Sequence, residues 1–280
     1  MTKGKRRASN GLLFTLLFVL ALLFLVPIIL VVINSFKSKL YISGAPFEWP
    51  NSETFVGLEN YINGLTTSGF FAAFLRSLFI TVFSVLLIVV CTSMTAWYIV
   101  RVKNKFTKFL YYLFVFSMIV PFQMVMYTMT YVVNMINFDN IFGIVPVYLG
   151  FGAGLSVFML SGFVKGIPLE IEEAATIDGC NPLQTFFMVV FPILKPTVIT
   201  VAILNAMWIW NDYLLPYLIL GTDEKTIPVA IQIAMQGAYG STDYGGLMAM
   251  LVLAIIPIIV FYLVCQKYII KGVVAGAVKG

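Results

Sequence analysis

An all-α integral membrane protein is the fold class this sequence of 280 residues predicts. Three observations carry that prediction. The composition is 61% hydrophobic and only 10% charged, with a mean hydropathy of +0.99, which lies outside the range of soluble globular chains. The apolar residues are gathered into six runs, each long enough to cross about 30 Å of hydrocarbon as a helix. The basic residues fall mostly in alternate loops between those runs. Neither face of any run is polar, so the alternation of a membrane β-barrel is absent and a helical bundle follows. A water-soluble enzyme is excluded. With no histidine and three cysteines, zinc sites, haem attachment and imidazole catalysis lack their ligands, and no disulfide is expected of Cys91, Cys180 and Cys265.

The expected spans are 11–33, 77–100, 109–133, 143–164, 197–220 and 246–266, within a single transmembrane domain covering 1–280. The first follows Lys3, Lys5, Arg6 and Arg7 as a signal peptide would. Its apolar stretch is too long for one, and no small-residue cleavage site comes after it, so it reads as a retained helix. Proline at 27, 121, 146, 216 and 257 lies in or at the ends of spans, as kinks that membrane helices tolerate. The many phenylalanines and tyrosines read as lipid-facing bulk and interfacial belt.

Orientation follows from lysine and arginine in the short loops. With the N-terminus inside, Lys3, Lys5, Arg6, Arg7, Arg101, Lys103, Lys105, Lys108, Lys165, Lys195, Lys267, Lys271 and Lys279 are all inside, and both termini are cytoplasmic. Lys37, Lys39, Arg76 and Lys225 are left outside, where Glu48, Glu53, Glu59, Asp139, Asp223, Glu224 and Asp243 collect. The net charge of +5 is then explained by topology and anionic membrane lipid, and no nucleic acid is needed.

Three loops are long. In the outer loop 34–76, Phe55, Leu58, Tyr61, Ile62 and Leu65 have the spacing of a short amphipathic helix on the membrane surface. The outer loop 221–245, with Gly237, Gly240, Gly245, Gly246 and Ser241-Thr242-Asp243-Tyr244, is polar and built for mobility, and could meet an external partner. The inner loop 165–196 contains a helix with both ends written in. Pro168 suits a first helical position, Glu170, Glu172 and Glu173 favour the positive end of the macrodipole, and Gly179 can end the helix in the left-handed conformation. Roughly ten residues are too few for an isolated helix, so it must dock. Ile171, Ala174, Ala175 and Asp178 share one face, whose small side chains suit a groove.

The run Glu173-Ala174-Ala175-Thr176-Ile177-Asp178-Gly179, continuing through Phe186 to Phe191-Pro192 and Lys195-Pro196, resembles the EAA loop of the inner-membrane permease subunits of ATP-binding-cassette importers. Trp210-Asn211-Asp212-Tyr213-Leu214-Leu215-Pro216 and the tail 272–280 resemble the carbohydrate branch of that family, its MalG-type subunit in particular. The resemblance covers essentially the whole chain. Phe191 stands where the family usually has leucine, and Cys180 where alanine is commoner. The resemblance implies the type I importer permease fold in a bacterial cytoplasmic membrane. It implies that Glu173, Ala174, Ala175, Asp178 and Gly179 meet a cleft on an ATPase and carry its closing motion into the membrane. The implied partners are a second, MalF-like permease, two cytoplasmic ATPase subunits and an extracytoplasmic sugar-binding protein. ATP and magnesium would be bound by the ATPase, for this chain has no GxxxxGK[ST] phosphate loop. The bland alternative is a surface helix lying on its own bundle.

Asp212 is the lone charge within an expected span, and an ionisable residue there is a functional candidate by default. Asn205, Trp208 and Asp212 share a helix face, with Asn211 beside it. An aromatic plane, amides and a carboxylate are the groups that bind sugars, so these four are candidates for a substrate pathway. The alternative for Asp212 is a hydrogen bond that fixes a neighbouring helix or the loop that follows. At the level of the whole chain, an ion-gradient-driven carrier of small polar solutes is the rival reading. It would want more intramembrane carboxylates or histidines and an internal repeat.

Overall fold

The computed structural model describes residues 3–67, 69–236 and 242–277. In chain order the helices are α1 (Lys3–Asn34), α2 (Lys39–Gly44), α3 (Glu59–Thr67), α4 (Phe70–Arg101), α5 (Lys105–Ser117), α6 (Phe122–Met135), α7 (Ile144–Val164), α8 (Leu169–Ile177), α9 (Pro182–Gln184), a π-helical turn (Thr185–Val190), α10 (Phe191–Asn211), α11 (Leu214–Leu220), α12 (Ile227–Gln236) and α13 (Tyr244–Ala277). Among the described residues every regular element is helical, and a single isolated bridge joins Lys37 to Phe55. Five continuous helical segments are long and apolar enough to cross a membrane, over Gly11–Asn34, Phe70–Arg101, Ile144–Val164, Pro182–Asn211 and Tyr244–Tyr268. They account for five of the six expected spans.

The expected third span is not one helix. α5 and α6 are bent by 108° to each other across a short break. Pro121 has no amide hydrogen and disfavours helix in the residue before it, so α5 must end ahead of it and α6 restarts after it. The arms have 13 and 14 residues, about 20 Å each, so neither crosses alone. Counted as one broken span they complete the six. The fifth span also differs from expectation: its helix runs from Pro182 to Asn211 and stops at Asp212, whose backbone is extended. The loop expected over 221–245 contains α12, whose Ile227, Val229 and Ala230 are buried. Gly237, Gly240 and Ser241 lie outside the described residues, as do Val278, Lys279 and Gly280 of the tail.

The chain packs as two compact units, Met1–Phe70 with Ile231–Pro257 and Phe71–Ala230 with Ile258–Gly280. In the first, the backbone after α1 is held by side chains. Asn60 donates its amide to the carbonyls of Ser35 and Lys37 at 2.9 and 2.8 Å, and the Ser35 hydroxyl bonds Tyr61 at 2.7 Å. Lys37 is buried and donates to the Ala45 carbonyl at 2.8 Å. Burial holds its ammonium below the ordinary lysine value, and Glu48 offsets part of that. The surface helix forms as α3, beginning at Glu59 instead of Phe55, with Leu58, Ile62 and Leu65 exposed as an interfacial anchor requires. Gly64 and Gly245 let α3 and α13 approach closely. A Cβ on Gly245 would lie 2.3 Å from the Asn60 amide oxygen.

The second unit has two apolar cores along α4, α7 and α10. One gathers Ala96, Leu160, Val164, Phe186, Val190 and Leu194 near α8. The other gathers Ile88, Ile144, Tyr148, Ile209, Leu215 and Ile219. Small residues on α7 allow the close approach that membrane helices use in place of a hydrophobic drive. A Cβ on Gly154 would lie 2.8 Å from the Phe114 carbonyl oxygen of α5, whereas one on Gly150 would meet nothing within 4 Å. Gly154→Ala should therefore destabilise by about 1–3 kcal/mol through overpacking, while Gly150→Ala should be neutral or stabilising by about 1 kcal/mol. Thermal unfolding of the two variants in detergent checks the contrast.

Candidate functional site

α8 is terminated as its sequence prescribes. The Cys180 amide donates to the Ala175 carbonyl and the Gly179 amide to the Thr176 carbonyl, both at 3.0 Å. This is the paired pattern of a Schellman end, with Gly179 in the left-handed conformation at φ +87°. Asn181 then caps the next helix, its side chain accepting from the Gln184 amide while Gln184 reaches back to the Asn181 amide, each at 2.9 Å. Pro168 precedes the first helical residue rather than occupying it.

What fixes α8 to the bundle is Glu172. Its carboxylate is buried and accepts from the Trp97 indole at 2.9 Å, from Arg101 Nε at 2.9 Å and from Arg101 Nη2 at 2.6 Å. Arg101 Nη2 also donates to the Ile167 carbonyl at 2.9 Å. The last turn of α4 is thereby tied to both the start and the middle of the α8 segment. Ala175, one turn on from Glu172, is buried on the same side. The face anticipated for docking is thus divided: Ile171, Glu173, Ala174, Asp178 and Gly179 are exposed, and Ala175 packs inward against the protein's own core. With Glu172 anchored inward, the i, i+3 spacing carries residue 175 inward with it, so Ala174 and Ala175 part. From the sequence Trp97 was not singled out, Arg101 was read only as an inside charge and Glu172 only as an acid suited to the start of α8. A Trp and an Arg four apart at the end of a span, facing an acid inside the inner loop, are the signal that would have found them.

An open cleft of about 550 Å³ lies beside α8, lined by Trp97, Leu169, Glu173, Ile177 and Thr185 among others. Ile177 is 87% exposed, a large apolar side chain presented to the surroundings. The π-helical turn follows directly. Pro192 cannot donate to the carbonyl four residues before it, and the Phe191 amide reaches five residues back to Phe186, widening the helix so that the ring is accommodated. Phe191 packs at a tilt against Phe186, with ring centroids 5.8 Å apart, so its side chain takes part in the core beneath α8.

The four candidates at the other end of α10 do not form one cluster. Asn205 is buried and donates to Ser156 Oγ at 3.2 Å and to the Val201 carbonyl at 2.9 Å. Asp212 is placed at a helix break instead of within a span. Its Oδ1 accepts from the amides of Leu214 at 3.0 Å and Leu215 at 3.4 Å, starting α11, and its Oδ2 accepts from Tyr148 at 3.0 Å. Trp208 sits edge-on to Tyr148 at 5.5 Å and is 41% exposed. Asn211 is exposed and bonds the Met207 carbonyl at 2.7 Å. Trp208 and Asp212 therefore meet through Tyr148, Asn205 is spent between helices, and Asn211 faces outward. Among the described residues no three cysteine, aspartate or glutamate side chains converge to hold a metal ion.

Apolar spans, one of them broken, and a short helix pinned by a buried ion pair define a polytopic helical membrane protein of importer-permease fold. A bacterial transporter structure described as importing the acidic polysaccharide alginate matches with a TM-score of 0.78 over 96% of this chain and 99% of that one, at 23% identity. The chain belongs to the family described as binding-protein-dependent transport system inner membrane component, whose model matches residues 88–274. It is 39% identical to a probable starch degradation products transport system permease protein, AmyC, of Thermoanaerobacterium thermosulfurigenes, covering 98% of this chain and 99% of that protein. It is 36% identical to the multiple sugar-binding transport system permease protein MsmG of Streptococcus mutans, covering 95% and 96%. A second transporter structure, an alginate transporter in complex with an alginate pentasaccharide-bound periplasmic protein, matches with a TM-score of 0.64 over 94% of this chain and 95% of that one, at 16% identity.

Removing the Glu172 charge should leave Arg101 without its partner and cost about 2 kcal/mol, the loss typical of a hydrogen bond to a charged group. Glu172→Gln should lower the unfolding temperature in detergent, and Arg101→Met combined with it should recover most of the loss. An additive double variant would show that the pair does not act as a unit.

Proposed function

We propose that this chain is one of two permease subunits of an ATP-driven, binding-protein-dependent importer of oligosaccharides or related carbohydrate solutes. A second, MalF-like permease completes the translocation path. Two cytoplasmic ATPase subunits bind ATP and magnesium, and an extracytoplasmic sugar-binding protein delivers the solute. The observation that carries the reading is α8: its inner side is locked to α4 through Glu172 and Arg101 while Glu173, Ala174, Asp178 and Gly179 are exposed. Such a helix transmits a push instead of absorbing it, which is what coupling to a moving ATPase needs. The carbohydrate class is supported by relatives named for starch degradation products, multiple sugars, and melibiose, raffinose and stachyose.

The chain acts as one permease domain with both termini cytoplasmic, in a bacterial cytoplasmic membrane. The α5–α6 pair is taken as a broken crossing, because only then do Arg101, Lys103, Lys105 and Lys108 lie on the same side as Lys165 and Lys195. In the solute path, Trp208 offers the face of its ring and Asn211 its amide. Asp212 and Tyr148 hold Trp208 in place, and Asn205 keeps α7 and α10 in register.

A mild-detergent pulldown of the tagged chain from its native membrane should recover a second permease and an ATPase. Recovery of the chain alone, with transport persisting in ATP-free vesicles, would overturn the importer reading. Gly179→Asp should cut uptake at least tenfold while the protein still inserts, because it strains a left-handed position and fills the open space beside α8. Normal uptake by that variant would remove the coupling role. Trp208→Leu and Asn211→Ala should each raise the apparent KM for the sugar by about tenfold, the weight of one good contact of about 1.4 kcal/mol. Unchanged KM and unchanged substrate-stimulated ATPase would return both residues to the lipid-facing surface.

A further inference from the structure

A second cavity, of about 780 Å³, lies where α4 and α7 end and α5 begins, and the chemistry of the proposed transport does not use it. Lys103, Lys105, Lys108 and Lys165 line it together with Arg101 and Ser161, and among the described residues no acidic side chain does. Arg101 is neutralised by Glu172, which leaves four lysines whose charge nothing in the cavity wall balances. Lys105 and Lys108 occupy the first turn of α5, which has no acid, the position where the helix macrodipole disfavours cations and favours anions. Lys165 lies over the Tyr111 ring, 5.5 Å from its centroid. The Ser161 side chain is fully buried in the cavity wall, and its hydroxyl has no hydrogen-bond partner. A buried hydroxyl without a partner is uncommon enough to ask what it awaits. On the flank of α5 the large apolar side chains of Phe106, Phe109 and Tyr112 are each more than half exposed.

We propose that this cavity is a binding site for the phosphate headgroup of an anionic phospholipid. Its occupant would set the lysine ammoniums and the Ser161 hydroxyl on the phosphate oxygens, and lay its acyl chains along the exposed aromatic flank of α5. Span ends lie at headgroup level, where each lysine adds to the attraction of an anionic lipid. A free phosphate would satisfy the same cations without using that flank, and for this reason the lipid is preferred. The site requires only that the chain span a membrane and is independent of the sugar reading.

The test uses the purified transporter complex in mild detergent, titrated with dioleoyl phosphatidylglycerol or dioleoyl phosphatidylcholine, with bound lipid counted by native mass spectrometry. Retention of phosphatidylglycerol over phosphatidylcholine is expected. Lys103→Gln and Lys108→Gln together should weaken retention by roughly fivefold per charge removed, and these exposed positions should leave the unfolding temperature unchanged. Ser161→Ala should weaken it by roughly threefold although no charge changes. Equal retention of the two lipids would overturn the proposal, as would a Ser161→Ala complex that binds like the wild type, since diffuse charge would then suffice. Inorganic phosphate alone, displacing the lipid at equal ionic strength where chloride does not, would assign the cavity to free phosphate. Loss of the ATPase from the lysine variants with lipid retention unchanged would assign the lysines to a protein partner.

Discussion

Hydrocarbon offers no partner to a peptide N–H or C=O, so a chain inside a membrane must satisfy its own backbone at every residue. Regular helix does this automatically, and each irregular place needs another partner for its backbone. At Pro121 a span is broken into two arms; at Pro192 the helix widens into a π turn; at Asp212 it stops and restarts. The last two are repaired by identifiable devices. The π turn lets the Phe191 amide find the Phe186 carbonyl, and the Asp212 carboxylate receives the first free amides of α11. Both repairs lie on the same chain segment, Pro182–Leu220, at opposite ends. One adjoins α8 and the other adjoins Trp208.

The Glu172–Arg101 pair is best understood as a positioning device. Two charges taken out of water lose nearly as much hydration as they gain in attraction, and apolar replacements of similar volume are often as stable. What the pair provides is geometry. The planar guanidinium engages Glu172 and the Ile167 carbonyl together, which fixes both the angle and the height of α8 relative to α4. A hydrophobic contact would let a nine-residue helix slide. Arg101 also joins the anchor of α8 to the lysine-lined cavity, whose wall it helps to form. An anion held there would share its field with the residue that holds α8.

Much of the fold was legible before any coordinates. Membrane helices announce themselves by length and composition, and the ends of α8 were written in Gly179 and the acids before it, because capping is a local matter. Three features were not legible, for one reason. The α5–α6 bend, the inward turn of Ala175 and the burial of Asn205 depend on which neighbour lies opposite, and a single sequence has no record of neighbours. Pro121 marked a possible kink, but proline in a membrane helix is compatible with anything from a slight curve to a complete break. Glu172 was hidden among three acids of similar appearance, and only the position of Trp97 and Arg101 on another helix separates it from Glu170 and Glu173. Asp212 was read as a charge within a span, whereas it stands at a helix break, where two backbone amides and the Tyr148 hydroxyl meet its carboxylate; those are the packing contacts weighed as the alternative, and only the identity of the partners was beyond a single sequence.

The same accounting bears on where selectivity resides. A polar group can recognise a solute only if its hydrogen-bonding capacity is not already committed. Both amide hydrogens of Asn205 are used within the protein, and the Asp212 carboxylate already accepts three hydrogen bonds from it, which leaves it little acceptor capacity for a solute. Near that end of α10 this leaves Trp208 and Asn211, a ring and an amide, on the exposed side. A ring face discriminates weakly between sugars, since stacking responds to the shape of the apolar face and not to the full pattern of hydroxyls. One amide adds one or two contacts, each worth about 1 kcal/mol. On the importer reading, such a surface lets many related carbohydrates pass, and the greater part of the discrimination must be made before the solute arrives or by the facing permease.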